Sequence, residues 1–243
     1  MLDVGQGAAV VLRNGPRAEV LVDAGPPGDP PPVRPALDRM GALSVGTVVV
    51  SHGSADHAGG LRAVLEGLPV GRLVLPQADA RAPLVRDAVR VAAERGIPVA
   101  WAVQGTQVQS GSWHVEVIGP HDGVPADADP NARCLVVLAR TPGLRALLPG
   151  DAESPALDGL AIPEVDVLQV PHHGSEDPGL PQVMARAAPA VALVSAGRGN
   201  PFGHPRAQAL AAARDGGAQV LRTDRGGDID VRAGQGGIVT ARG

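Results

Sequence analysis

Short, mainly aliphatic segments that stop abruptly on a histidine, an aspartate or a glycine recur along this chain, and that recurrence limits its folds more than any other feature. Thr47–Val50 runs into Ser51-His52, and Leu144–Leu148 into Pro149-Gly150-Asp151. Val165–Val170 runs into Pro171-His172-His173, and Val191–Val194 into Ser195-Ala196-Gly197. Mainly aliphatic segments of this length bounded by turn formers read as strands, and Thr47–Val50 as a buried one. Ala8–Leu12 and Glu19–Val22 read as a hairpin across Asn14-Gly15-Pro16, and Leu73–Leu75, Val99–Ala102, Val115–Ile118 and Leu135–Leu138 as further strands. Between them Val33–Met40, Gly59–Leu65, Leu84–Glu94 and Ala207–Arg214 read as helices, and Pro26–Pro32 and Gly123–Asp129 as loops. Gln219–Leu221 and Ile229–Val231 read as strands closing the sheet. Strands interleaved with helices predict an α/β or mixed layered architecture. With no tandem repeat and no dividing linker, residues 1–243 read as one domain.

The core must be built almost without aromatic residues: the chain holds one Phe, two Trp and no Tyr. Val, Leu, Ala and Ile are left to fill it, which favours close backbone approach and β-branched strand positions. A net charge of −4 gives no global field that gathers nucleic acid. All 21 basic residues are Arg, whose planar fork keeps local phosphate contacts available. The lone Cys134 excludes an internal disulfide and a multi-cysteine zinc site. No apolar stretch reaches the roughly 18 residues of a membrane span, and Met1–Gly7 lacks the pattern of a signal peptide. The chain as given reads as soluble, and it opens at or just before its first strand, as a fragment of a longer protein does.

Several polar residues stand just after predicted strands: Asp23, His52, Asp151, His172 and His173. Such loops are where layered sheets place their sites. Imidazole and carboxylate donors suit zinc, and carboxylate also suits manganese. The densest group is His52-Gly53-Ser54-Ala55-Asp56-His57, in which a tight loop followed by a helix start turns His52, Asp56 and His57 toward one point. Asp151 follows an apolar strand and a glycine, where a carboxylate can hold one metal or bridge two, although Gly-Asp alone is also a common turn. On an extended segment His172 and His173 would point to opposite sides, one facing a metal and the other orienting a neighbour or meeting substrate. Gly203-His204-Pro205 precedes a helix and by itself reads as helix entry.

Taken together these residues resemble the metallo-β-lactamase superfamily, whose central motif is His-x-His-x-Asp-His followed by a metal-bridging Asp and a final His. His52, Asp56 and His57 match the motif, Asp151 matches the bridging position, and Asp23 matches the structural Asp that ends an early strand. Motif order makes His172 the first choice for the final His, with His173 or His204 next. A closer resemblance is to the hydrolase-like domain of ComEC-type DNA-uptake proteins. That family's Asp-Val-Gly-Gln-Gly appears as Asp3–Gly7, its Pro-His-His-Gly-Ser as Pro171–Ser175, its Gly-His-Pro as Gly203–Pro205, and its Thr-Asp with a later glycine as Thr223, Asp224 and Gly226. Three positions depart from the pattern. Ala8 stands where the family commonly has Asp, Ser54 where the superfamily has His and this family Asp, and Cys134 where a Ser follows the Asn131 motif. Ser54 depletes the first metal site; the second keeps its ligands.

The resemblance implies a four-layer αββα sandwich of two mixed sheets flanked by helices, with a divalent metal, Zn or Mn, at one edge. It implies a metal-dependent phosphodiesterase or nuclease acting in natural transformation on DNA, a single strand or the strand that is not imported. Asp56 would orient water, Asp151 would hold metal, and His173 or His204 would stabilise the phosphorane or protonate the leaving oxygen. The implied partner is the membrane channel portion of a competence protein, in cis or in trans, at the outer face of the cytoplasmic membrane. Two other readings stay open: a small-molecule ester or lactone metallohydrolase on the same fold, and a catalytically degenerate scaffold for DNA uptake.

Overall fold

Strand residues buried on both faces need a layer on each side, and most central strands here are buried that way. The computed structural model describes residues 1–15, 17–125, 127–234 and 237–242. Pro16 of the expected hairpin turn and Ala126 of the expected loop lie outside the described residues. The first half runs β1 (Val10–Asn14), β2 (Arg17–Val22), α1 (Val33–Arg39), β3 (Val45–Val49), α2 (Ala55–Ala58), α3 (Leu61–Gly67), β4 (Val70–Pro76), α4 (Pro83–Glu94) and β5 (Val99–Ala102). Its five strands lie in sequence order, β1 antiparallel to β2 and the rest parallel.

The second half runs β6 (Gln107–Ser110), β7 (Trp113–Gly119), β8 (Val136–Thr141), β9 (Leu144–Leu148), α5 (Ser154–Leu157), β10 (Val167–Gln169), α6 (Leu180–Ala187), β11 (Val191–Val194), α7 (Ala207–Asp215), β12 (Gln219–Arg222), α8 (Thr223–Gly226), β13 (Ile229–Gly234) and β14 (Gly237–Arg242). Seven strands form its sheet in the order β12-β11-β10-β9-β8-β7-β6, parallel from β12 to β9 and antiparallel from β9 to β6.

Three apolar clusters mark the three contacts between four layers. One joins the first sheet to α1, α3 and α4, with Leu37, Val64, Leu65 and Val91 meeting Val48, Leu73 and Leu75. A second lies between the sheets and joins Val20, Val22, Val49 and Val74 to Val115, Val137, Leu148 and Leu193. The third joins the second sheet to α5, α6 and α7 through Leu157, Val183, Met184 and Ala213. The two-residue period of a strand does the sorting: in β8, Val137 and Ala139 enter the inter-sheet cluster while Val136 and Leu138 enter the helix-facing one. The expected αββα sandwich with two mixed sheets is what forms.

One expected strand is placed differently. Gln219–Leu221 does edge the second sheet, as β12 on β11, but Ile229–Val231 does not close it. It belongs to β13, which pairs antiparallel with β14 as a separate hairpin. Arg13 of β1 ties that hairpin down through Asp230 at 2.9 Å.

Candidate metal centre

The loops at the ends of β2, β3, β9, β10 and β11 meet at one edge of the sandwich, and four donor side chains converge there. Asp56 and His57 come from α2, just beyond β3, on the first sheet; Asp151 and His173 follow β9 and β10 on the second. One ligand atom from each of these four lies within 4.8 Å of the others. His57 Nε2 is 2.9 Å from Asp151 Oδ1, and His173 Nε2 is 3.6 Å from the same oxygen and 3.1 Å from Asp56 Oδ2. His52 stands beside them, its ring centroid 4.3 Å from that of His57 and its Nε2 3.9 Å from Asp151 Oδ2.

Each buried imidazole has its Nδ1 committed elsewhere, which fixes where its other nitrogen points. His57 Nδ1–H donates to Asp23 Oδ2 at 2.7 Å, and His173 Nδ1–H to the Ser195 carbonyl at 3.0 Å. Ser51 donates its hydroxyl to Asp23 Oδ2 at 2.7 Å, which leaves Ser51 Oγ to accept from His52 Nδ1–H at 3.1 Å. The Nε2 lone pairs are thereby aimed inward, the arrangement in which a histidine ligates metal. His52 Nε2 is buried without a hydrogen-bond partner, and the buried His57 Nε2 and Asp151 Oδ1 face each other at 2.9 Å. Buried polar atoms are rarely left so, and this donor set of imidazole and carboxylate fits a divalent metal.

The charges respond to this crowding. Burial opposes a charged His57, but Asp151 and Asp23 outweigh it and hold its pKa well above the ordinary imidazole value. Burial likewise opposes ionisation of Asp151, and His57, His173 and His52 together bring its pKa far below the usual carboxylate range. Burial pushes the pKa of His52 down, with His57 adding to the effect.

Glycines let the backbone pack tightly beneath these donors. Gly7 has φ +146°, and a Cβ there would lie 2.3 Å from the Asp56 carbonyl oxygen, so no side chain fits under that residue. The Asp3–Gly7 motif is therefore more than a turn. Its Gly7 carbonyl accepts the Ser195 hydroxyl at 2.6 Å, and Gln6 Oε1 accepts the Gly197 N–H at 3.1 Å, which links the first loop to the end of β11. Ala8 is fully buried, and its N–H donates to the Asp56 carbonyl at 3.1 Å. Thr223 holds the same region by donating to the Ala196 carbonyl and accepting its N–H.

The histidine pair is not extended. His172 and His173 occupy left-handed backbone conformations, φ 47° and 56°, inside a single tight turn. That turn buries His173 among the converging donors and leaves His172 at the rim. His172 Nε2 is 3.8 Å from Asp151 Oδ2, and its Nδ1–H donates to Glu153 Oε1 at 3.0 Å. Glu153 also accepts the Ser175 hydroxyl, and its hydrogen bond raises the His172 pKa. Motif order favours His172 as the last ligand; the donor atom that joins the cluster is that of His173. His204 is half-buried, its ring 5.7 Å from that of His172 and 6.5 Å from that of His173. Ser54 precedes α2 without a side-chain hydrogen bond to the helix, and the cluster of four does not include it or His52. Sequence reasoning passed over Glu153 and Ser51, although both neighbour motif residues and carry the polar side chains that a buried histidine needs.

A four-layer sandwich with His and Asp donors gathered at the end of both sheets defines the metallo-beta-lactamase class. The chain belongs to the metallo-beta-lactamase superfamily, whose family model matches residues 2–198. Among curated proteins it is 28% identical over 253 residues to ComE operon protein 3 of Bacillus subtilis (strain 168), covering 96% of this chain and 32% of that protein. It is 26% identical over 246 residues to competence protein ComA of Neisseria gonorrhoeae, covering 99% of this chain and 33% of that protein. The chain thus spans about a third of the length of these relatives. Among solved structures, the metallo-beta-lactamase fold protein YhfI from Bacillus subtilis shares the fold with a TM-score of 0.59 at 12% identity, over 91% of this chain and 95% of that one. Among the described residues no helix is long and apolar enough to cross a membrane.

Proposed function

We propose that residues 1–243 act as one metal-dependent phosphodiesterase domain that cleaves DNA during uptake, with Asp56, His57, Asp151 and His173 holding a zinc or manganese ion. The observation that carries this reading is the set of buried, inward-aimed donor atoms whose other ring nitrogens are already committed. Bound there, such an ion supplies Lewis acidity and a nucleophile available near neutral pH. To Asp56, the least buried of the four, we assign the orienting of the attacking water. With His173 counted among the metal donors, we assign contact with the phosphate oxygens or protonation of the leaving oxygen to His204 and to His172, which Glu153 holds at the rim. The relatives support the uptake setting: each is about three times as long as this chain, and one is named a competence protein. We assign the remaining partner to the membrane channel portion of such a protein, in cis or in trans, with this domain at the outer face of the cytoplasmic membrane.

The test is cleavage of end-labelled single-stranded DNA with Mn²⁺, Zn²⁺, Mg²⁺ or EDTA, beside an Asp56→Ala control. Metal-dependent cleavage lost in the control is expected; no cleavage under any metal refutes the nuclease reading.

Ser54 favours a second reading, a degenerate scaffold, because it leaves His52 without a second first-site ligand on its own loop. Comparing metal content and cleavage with a Ser54→Asp variant separates the two. If only the variant holds metal and cleaves, the scaffold reading stands.

A further inference from the structure

The chain's one phenylalanine, Phe202, is 57% exposed, whereas Trp113 is buried in the inter-sheet core. Isolated exposed apolar residues are common, so exposure alone says little. Its position says more. The Phe202 ring centroid lies 5.9 Å from that of His204, which in turn adjoins His172 and His173. The ring therefore stands at the rim of the metal centre, one side chain removed from its histidines.

The loop that carries it is held in place. Asn200 donates through Nδ2 to the carbonyls of Gly197 at 2.9 Å and His204 at 2.6 Å, and accepts the His204 N–H at 3.1 Å. The guanidinium of Arg206 lies over the same loop: a Cβ at Gly203 would be 3.0 Å from its Nη1. Arg198 and Arg206 are both exposed, and among the described residues neither has an ion-pair partner.

We infer that Phe202 is a stacking platform for a base of single-stranded DNA next to the scissile phosphate, with Arg206 taking a neighbouring phosphate. This inference rests on the phosphodiesterase reading of the same site. An aromatic face beside an unpaired guanidinium matches a nucleotide, whose base stacks and whose phosphate accepts a planar fork. Bases in a duplex already stack on each other, so the platform selects single strands. It also supplies locally what the −4 net charge withholds globally. A lactone or ester with an acyl chain is better served by an enclosed apolar cleft, which a 57% exposed ring does not provide.

The test is stopped-flow mixing of the protein in Mn²⁺ with oligonucleotides carrying 2-aminopurine at successive positions, with cleavage of the same strands read on gels. Stacking quenches 2-aminopurine before any bond breaks. Wild type is expected to quench at one register. Phe202→Ala should lose that quench and bind single strands about tenfold more weakly, with metal content unchanged, and Phe202→Trp should restore both. Equal quenching and affinity in wild type and Phe202→Ala overturn the platform, even where cleavage proceeds. A Phe202-dependent quench without cleavage keeps the platform and overturns only the nuclease reading.

Discussion

Removing the Asp23 carboxylate tests whether the histidine donors are set by what holds their backs. Asp23 sits after β2 and accepts three hydrogen bonds, each at 2.7 Å, from the Ser51 N–H, the Ser51 hydroxyl and His57 Nδ1–H. All three donors are buried. A buried donor left without a partner costs about 1–3 kcal/mol. With partial relief from a water entering the vacated space, Asp23→Ala should cost about 3–5 kcal/mol. Against a typical total stability of about 5–15 kcal/mol, that variant stands close to unfolding, so Asp23→Asn is the sharper probe. Asn keeps one carbonyl oxygen for the Ser51 N–H but presents an amide N–H₂ to His57. The imidazole then accepts at Nδ1 and carries its proton at Nε2, where the ion should bind. Stability should fall by about 1–2 kcal/mol in urea titrations. Zinc affinity, read by competition with a chromophoric chelator, should fall about 10–100-fold. Wild-type zinc affinity in Asp23→Asn would refute the argument that the Nδ1 partner sets the ligating nitrogen.

Asp151→Ala should abolish metal binding and cleavage together, measured as metal content after purification and as release of end label; retained activity would sink the assignment. Gly7→Ala places a Cβ 2.3 Å from the Asp56 carbonyl oxygen at a φ of +146°. It should cost roughly 1–3 kcal/mol from backbone strain alone and lower metal affinity by displacing Asp56, whereas Gly15→Ala, at an open turn, should leave metal affinity alone. Burial opposes ionisation of Asp230, but hydrogen bonds from Arg232 and Arg13 lower its pKa below the unfolded value. Its contribution is therefore present above the ordinary carboxylate range and lost as pH falls through the lowered pKa. Asp230→Asn should unfold at lower urea than wild type at pH 7, with the gap closing in acid; a pH-independent gap would contradict this.

Much of the fold was legible because strand ends coincide with chemistry. Val99–Ala102, Leu144–Leu148 and Val191–Val194 form strands with the expected bounds, and the last is a fully buried aliphatic run closed by turn residues. β6 was not legible: in Gln107–Ser110 a single valine is the only apolar residue, and pairing with β7 supplies what local pattern lacks. α6 is absent from the expected elements although Leu180, Val183, Met184 and Ala187 are buried at helical spacing. β13 reads like any closing strand, and only its partner β14 shows that it leaves the sheet. At the site, the residue types and order were visible and the choice between adjacent histidines was not. That choice depends on left-handed backbone at His172 and His173, a conformation non-glycine residues seldom adopt and sequence patterns do not encode.

The candidate donors are split between the two halves of the sandwich, Asp56 and His57 with the first sheet, Asp151 and His173 with the second. Neither half supplies all four donors, so an ion held by the four would link its occupancy to closure of the two sheets on each other. An ion present at a hundredfold over its dissociation constant adds about 2.7 kcal/mol to the closed state. Chelation should therefore act as a mechanical release: amide exchange would quicken first along the seam of valines between the sheets, while the helix-covered outer faces stay protected.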